Sequence, residues 1–249
     1  MSFSSFTLIR HAILSFLLGC AALSSFAATV TAEFQEECRQ QLGPTKIDAI
    51  VLPSQVLYDF TYSSDVLSQK GVRQRELHQS VVGLTTATLR HTITWGGDVL
   101  AYPEGPACTR PAIQLTLEVG PQHVDIGREF PRGSCAFNKI AAHELRHVYA
   151  NQETLVDAAR YLEYAMREHY GTQILYGDKA TLKANLSSDV QRVWIPLLKQ
   201  KIAEVDLRHN AIDSPEEYAS NQVECDGEIP RALAKAGKQK YLLITPRRS

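Results

Sequence analysis

The chain has 249 residues, of which 44% are hydrophobic and 21% are charged, and it contains 14 Gly and 11 Pro. This composition is typical of a folded globular protein and excludes disordered, collagen-like and coiled-coil chains. Lys and Arg number 26 against 27 Asp and Glu, so the protein has no long-range field that would attract nucleic acid. We therefore expect no nucleic-acid partner. The eight His and the odd number of Cys, five, are the residues whose positions indicate function.

Residues 1–32 are typical of a secretory signal peptide. An uncharged apolar run extends from Ala12 to Ala28 after the single positive charge of Arg10, and small residues follow it. This arrangement is that of a cleaved signal and not of a buried helix. We predict cleavage after Ala32, with Ala27 as a comparable alternative.

A second processing route is indicated by Leu17-Leu18-Gly19-Cys20, which resembles a bacterial lipobox and would leave a lipid anchor on Cys20. After plain cleavage, the mature protein would be residues 33–249, interpreted as one domain without a membrane span. We expect it to be periplasmic or secreted, or lipid-anchored in the bacterial envelope if Cys20 is modified.

Four cysteines remain in the mature chain, and they are Cys38, Cys108, Cys135 and Cys225. An even number of cysteines in an exported chain predicts two disulfides, with three pairings open. Their wide spacing argues against a zinc ribbon, which needs close pairs. We expect Cys135 to pair with Cys225, because both flank the segments that carry the candidate site.

Residues 44–130 are predicted to form strands. Apolar and polar residues alternate with period two over 89–95 and 112–119, as in strands buried on one face. The runs 47–52 and 55–62 are also rich in Val, Ile, Tyr and Phe. We predict an antiparallel, meander-like sheet.

A long helix is predicted over 135–170, which contains no Gly or Pro and follows Ser134, a good N-cap. We expect one break in it, near Asn151. Gly171 is predicted to end the helix.

Two further helices are predicted, the first from about 186 to 209 with a kink at Pro196. The second begins at Ser214-Pro215-Glu216-Glu217, a capping box with Pro at the first helical position. Strands followed by helices indicate a single α+β domain, an N-terminal sheet with a helical half behind it.

The predicted long helix carries His143-Glu144-Leu145-Arg146-His147, which is an H-E-x-x-H motif. Two His four residues apart lie on one face of a helix, so both imidazoles can bind a single Zn²⁺. Glu144 would lie beside the open coordination position, where it can act as a general base. The helical period puts Glu144 on the side of Phe137 and Val148, with the two His at its margin.

HELRH on a helix that follows a sheet resembles the zincin class of metallopeptidases, in which an edge of the sheet pairs with an extended substrate. More narrowly, CAFNKIAAHELRHVYANQ, residues 135–152, is similar to a poorly characterised family of exported bacterial proteins regarded as zinc-dependent proteases. The similarity covers about 85–225. It implies a zincin-like fold, Zn²⁺ on His143 and His147, and Glu144 as the general base. We expect the peptide or protein substrate to pair with the sheet formed by the region 89–119.

The sequence offers several candidates for the third zinc ligand and does not decide among them. Glu153 has the metzincin position, but Ala150 replaces the Gly that turns the chain, and a continuing helix would point Glu153 away. In the gluzincin pattern, a later helix supplies a Glu, which Glu216 and Glu217 both fit loosely. Glu224, beside the disulfide candidate Cys225, is a further alternative.

We predict Glu216 as the ligand, because Glu217 is expected to turn back and cap the backbone of Ser214. Members of the exported family carry an Asp and a His-Gly pair near this place. Here Asp213 is retained, while Tyr218-Ala219 stand where the family has His-Gly. We expect Tyr218 to stabilise an oxyanion, as Tyr or His does in related zinc sites.

The other histidines are predicted to take no part in the site. His91 and His123 lie in strand-like segments, and His169 lies near a helix end, where the helix dipole favours it. His78 and His209 are expected at the surface.

These patterns predict an exported zinc-dependent peptidase. The competing hypothesis is a non-catalytic zinc-binding envelope protein that retains the H-E-x-x-H helix as a structural or metal-sequestering site. A closed shell of four protein ligands would be typical of that second function, since structural zinc sites leave no position for water.

Overall fold

Most strands precede most helices along the chain, as predicted, but the strands pair differently. The computed structural model describes residues 30–71, 80–103 and 105–237. Most of the predicted signal peptide, residues 1–29 including Cys20, lies outside the described residues, and so does His78.

The first half of the described chain is mostly strand and the second half mostly helix. In chain order, the elements are α1 (Ala32–Gln41), β1 (Lys46–Leu52), β2 (Val56–Asp59), α2 (Ser64–Lys70), β3 (Gly83–Thr86), β4 (Leu89–Gly96), β5 (Val99–Ala101), β6 (Ala107–Thr109), β7 (Ala112–Val119), β8 (Gln122–Ile126), α3 (Cys135–Tyr170), β9 (Leu175–Gly177), α4 (Lys179–Asp189), a π-helical turn (Val190–Trp194), α5 (Ile195–Ala203), α6 (Val205–Ile212) and α7 (Pro215–Lys235). The mixed α and β content is therefore confirmed.

The strands of the described residues form three three-stranded sheets, in the orders β1-β7-β4, β2-β8-β3 and β5-β6-β9. β1 runs parallel to β7, and β2 runs parallel to β8. The predicted antiparallel meander is therefore wrong, although β4 and β7 lie where alternation placed them and pair antiparallel. Alternation identifies the buried face of a strand and leaves its partner open.

Helix α3 is the central element of the structure. Ser134 Oγ accepts a hydrogen bond from the N–H of Phe137 at 3.1 Å, and the helix ends at Gly171, whose φ is 48°. The predicted break near Asn151 is absent. Asn151 is buried, and its side chain donates to Gln122 on β8 at 2.9 Å, so it does not compete for the helix backbone.

The second predicted helix is divided. A π-helical turn connects α4 to α5 just before Pro196, and α6 follows as a separate helix. A proline lacks the N–H and its ring clashes with the carbonyl four residues earlier, so a widened turn accommodates it. α7 starts at Pro215 as predicted, but its backbone leaves the helical region over 224–227.

Helix α3 is buried along two apolar clusters. Its C-terminal half packs on β1 and β7, in a cluster that includes Leu115, Leu117, Leu155, Leu162 and Trp194. Its N-terminal half packs on β8 and α7, in a cluster that includes Val124, Ile126, Ile140, Val148 and Ile229. The second cluster fixes the H-E-x-x-H turn beside the β2-β8-β3 sheet.

Two disulfides link distant parts of the chain, Cys38 to Cys108 and Cys135 to Cys225. The predicted pairing of Cys135 with Cys225 is confirmed, and it ties the first residue of α3 to the irregular segment of α7. In the described part of the chain, no helix is both long enough and apolar enough to cross a bilayer.

Candidate metal centre

Three donor atoms converge at the middle of α3. His143 Nε2 lies 3.1 Å from Asp213 Oδ1, His147 Nε2 lies 3.2 Å from the same oxygen, and the two Nε2 atoms are 3.2 Å apart. The side chains are 11%, 11% and 14% exposed. This group could hold a metal ion.

Local geometry brings each donor to the site. His143 and His147 are one turn apart on the continuous helix α3, which presents both rings to the same side. Asp213 is the C-cap residue of α6, where its backbone N–H donates to the carbonyl of His209 at 2.8 Å. Ser214 then begins α7, so the corner between α6 and α7 directs the Asp213 carboxylate towards α3.

Glu144 is buried behind this group, with only 4% of its surface exposed. Its Oε2 accepts a hydrogen bond from Thr85 Oγ1 on β3 at 2.8 Å. Gly83 leaves space for the carboxylate, because a Cβ there would lie 2.5 Å from Glu144 Oε1. Burial raises the pKa of Glu144 above its ordinary value, against the opposing charges of His143 and His147.

The Asp213 carboxylate and the two imidazoles stabilise each other's charged forms. Burial favours neutral groups, but the hydrogen bonds from His143 and His147 hold the pKa of Asp213 well below its usual range. For His143, burial acts to lower the pKa, and the hydrogen bond to Asp213 with the charge of Glu144 outweighs it and raises the pKa. The site therefore favours a carboxylate facing two nitrogen donors.

Glu217 supports the outer side of His143. Its Oε1 lies 3.2 Å from His143 Nδ1 and also accepts a hydrogen bond from Arg146 Nη2. These bonds outweigh burial and lower the pKa of Glu217. Ser214 Oγ caps the N–H of Glu217 at 3.2 Å, but the Glu217 side chain turns to α3, and not back to Ser214 as we expected.

The structure does not bring Glu216, the predicted third ligand, to the two histidines. Glu216 is exposed in the first turn of α7, and Asp213 lies where the third donor was expected. The prediction depended on Glu217 acting as a cap, which it does not. Two of the alternative third ligands form ion pairs away from the two histidines. Glu153 pairs with Arg208 at 2.7 Å, and Glu224 pairs with Lys139 at 2.6 Å.

A cavity of about 240 Å³ opens beside the donors. Tyr218 lines it together with Glu144 and the β3 segment Gly83–Thr85, so Tyr218 and the general-base candidate face the same cavity. The strand beside the cavity is β3, and not one of the strands of the region 89–119 where we expected substrate to pair.

His209, which we expected at the surface, is part of the site. Its Nδ1 lies 2.8 Å from Nδ1 of His147, and the two rings are tilted with centroids 4.9 Å apart. One signal in the sequence points to it, because His209 precedes Asp213 by four residues and thus shares its helix face.

A second group of metal-binding residue types consists of Cys135, Cys225 and Glu228. Its two sulfurs form a disulfide, so they are not thiolate ligands in this state. Glu228 instead accepts a hydrogen bond from the backbone N–H of Ala136, at the start of α3.

Comparison with known proteins adds no assignment, because no family model, curated protein or solved structure matches the chain. A function for the protein therefore has to be inferred from the geometry of the site, formed by His143, His147, Asp213 and Glu144.

Proposed function

We propose that the protein is an exported zinc-dependent peptidase with His143, His147 and Asp213 as zinc ligands and Glu144 as general base. The observation that supports it most is the near-equal separation of the three donor atoms, 3.1 to 3.2 Å. Ligands about 2.0–2.1 Å from a tetrahedral zinc stand about 3.3 Å apart. The donor set therefore fits zinc in both spacing and geometry.

The chemistry of the donors supports the same metal. Two imidazoles with one carboxylate are a common ligand set of catalytic zinc, and three protein ligands leave one position free. Ca²⁺ and Mg²⁺ prefer six or more oxygen ligands, which this group does not offer. Zinc held here would supply Lewis-acid polarisation of a substrate carbonyl.

The protein residues would perform the proton transfers. Glu144, oriented by Thr85, would take a proton from the attacking water and deliver it to the leaving amine, so that water adds across the broken C–N bond. Tyr218, on the wall of the same cavity, would donate a hydrogen bond to the developing oxyanion.

The substrate would bind as an added strand on β3. This strand is at the edge of the β2-β8-β3 sheet and lines the cavity beside Glu144. An extended peptide that pairs with such an edge gains backbone hydrogen bonds independently of its sequence. A zincin-type arrangement, with the metal-binding helix below an edge strand, is part of this proposal.

An oxidising compartment is part of the proposal because both disulfides need one to form and persist. The structure also favours one of the two predicted cleavage points. Thr31 caps α1 by accepting from the N–H of Phe34 at 3.2 Å, so cleavage after Ala27 would keep that cap and cleavage after Ala32 would remove it.

Metal analysis tests the ligand set. The purified mature protein should contain one zinc per chain, and His143→Ala or Asp213→Ala should lose it. Glu216→Ala is the matched control and should keep the metal, because its side chain is exposed outside the donor group. Zinc retained by Asp213→Ala, or lost from Glu216→Ala, would show that the ligands are assigned wrongly.

The reaction is tested separately with Glu144→Gln. This variant should bind zinc as the parent does and lose hydrolysis of a fluorescent unfolded protein such as labelled casein. One observation favours the competing function, zinc binding without catalysis, since Glu144 is only 4% exposed. Zinc binding by the wild-type protein without cleavage of any peptide in a random library would support that alternative.

A further inference from the structure

A chain of buried polar side chains leads away from the candidate metal centre. Gln122 on β8 accepts from Asn151 Nδ2 on α3 at 2.9 Å, and Asn151 Oδ1 lies 3.0 Å from His209 Nε2 on α6. His209 Nδ1 lies 2.8 Å from His147 Nδ1. Gln122 is 0% exposed and Asn151 6%, so the chain connects the metal ligand His147 to the protein interior.

One placement of hydrogens satisfies every bond of this chain. The Asn151 amide uses its N–H on Gln122, so its oxygen must accept from the N–H of His209 Nε2. A neutral His209 then has a lone pair on Nδ1, which accepts from the N–H of His147 Nδ1. When a metal ion is bound, it takes the place of the proton that His147 Nε2 would otherwise donate to Asp213. His147 then keeps its lone pair on Nε2, the atom that faces Asp213 and His143.

We propose that His209 is a positioning residue that fixes the ring orientation and tautomer of His147 for metal binding. The inference rests on the proposed metal site and does not depend on peptidase activity. Metal-binding histidines generally donate their second N–H to an oxygen acceptor, and that partner contributes strongly to metal affinity. Here an imidazole has that role, and it is held in turn by Asn151 and Gln122.

The geometry distinguishes this role from that of a fourth ligand. His209 approaches His147 at Nδ1, while the candidate metal ligands meet at Nε2 on the other side of the ring. This series of hydrogen-bonded side chains ends at Gln122, whose Nε2 is buried without a hydrogen-bond partner among the described residues. Such an amide is costly for stability, so packing alone does not account for a polar chain at this place.

Two substitutions at one position separate the role of the acceptor from that of the ring. His209→Phe keeps a ring but removes both nitrogens, and it should weaken Zn²⁺ affinity by about 10-fold to 100-fold. His209→Asn places an oxygen close to the former Nδ1 and should recover most of that loss. His91→Phe, at an exposed residue of β4, is the control and should bind Zn²⁺ as the parent does.

The measurement is competition for Zn²⁺ against a chelator of known affinity, with thermal unfolding of the metal-free variants alongside. Parent-like affinity in His209→Phe would overturn the proposal. Loss of zinc as complete as in His147→Ala would overturn it too, because His209 would then be a ligand. Equal weakening in the Asn and Phe variants would mean that the acceptor is irrelevant, whereas a wild-type protein that binds no Zn²⁺ would refute the metal site itself.

Nitrogen-15 NMR of the histidine rings tests the same proposal without any substitution. In the zinc-loaded wild-type protein, His147 should carry its proton on Nδ1 and His209 should carry its proton on Nε2. A proton on Nδ1 of His209 would overturn the proposal, because that nitrogen could not accept from His147.

Discussion

Substitution of Gly83 by alanine tests whether the position of Glu144 determines activity. A Cβ at residue 83 would lie 2.5 Å from Glu144 Oε1 and 2.7 Å from Ile140 Cγ2, whereas ordinary contacts begin at 3.4 Å. The carboxylate and the Ile140 methyl group must therefore move by about 0.7–0.9 Å, or the strand must withdraw from α3.

Both stability and activity should respond. Overpacking of this kind costs about 1–3 kcal/mol of unfolding free energy. Displacement of a catalytic group by about 1 Å lowers kcat/KM on the order of 100-fold. Zinc content should stay at the parent level, because the three atoms nearest the new Cβ belong to Glu144 and Ile140 and to none of the metal ligands.

The assay combines kcat/KM for a cleaved peptide, zinc content and urea unfolding. Gly96→Ala is the matched control, since it also adds one methyl group to a strand and no described atom lies within 4 Å of its Cβ. Wild-type kcat/KM in Gly83→Ala would refute the reasoning about Glu144. Equal unfolding free energies in the two variants would refute the packing argument even if no peptide substrate is found.

Three further predictions concern the two ends of α3 and the start of α7. Removal of the Cys135–Cys225 disulfide by double alanine substitution should lower the free energy of urea unfolding by about 3–5 kcal/mol, since the link spans 90 residues; an unchanged midpoint would contradict this. Ser214→Ala removes the cap of α7, and should cost about 1 kcal/mol and weaken zinc binding next to Asp213. Ser63→Ala removes the equivalent cap of α2 and should leave zinc affinity unchanged. Burial, opposed by the Trp194 hydrogen bond and reinforced by Asp189, raises the pKa of Tyr170 from 10.0 to about 12. Because this folded-state pKa exceeds the unfolded one, stability should be complete below pH 10 and then fall by about 1.4 kcal/mol per pH unit up to pH 12. Urea unfolding at pH 9 to 12 should show a smaller fall in Tyr170→Phe than in the parent, because the substitution removes only the contribution of Tyr170.

The elements that could be predicted from sequence are those determined by local physics. Ser134 begins α3 and Gly171 ends it, and alternation located β4 and β7. The sheets could not be predicted in this way, because the paired residues of β1 and β7 are 66 positions apart in the chain and alternation contains no information on partners.

The same limit of local patterns explains which residues of the candidate site could be predicted from sequence and which could not. His143, Glu144 and His147 share one helix, so helical geometry alone relates their positions. The third donor depends on how α6 and α7 pack against α3, which no local pattern specifies. Glu217 illustrates the difficulty, since its side chain could cap Ser214 or bind Arg146 and His143, and the tertiary contact prevails.

The same spacing of four residues nevertheless recurs on the two helices that form the site. α3 contributes His143 and His147 at a spacing of four, and the end of α6 contributes His209 and Asp213 at the same spacing. Because α6 packs against α3, the two pairs meet. Asp213 lies within 3.2 Å of both Nε2 atoms, and His209 lies against the far side of the His147 ring. A His or Asp pair at this spacing on a later helix is therefore a better guide to the missing ligand than the carboxylates of the following helix start. There Glu216 is exposed, and Glu217 is held by Arg146 and His143.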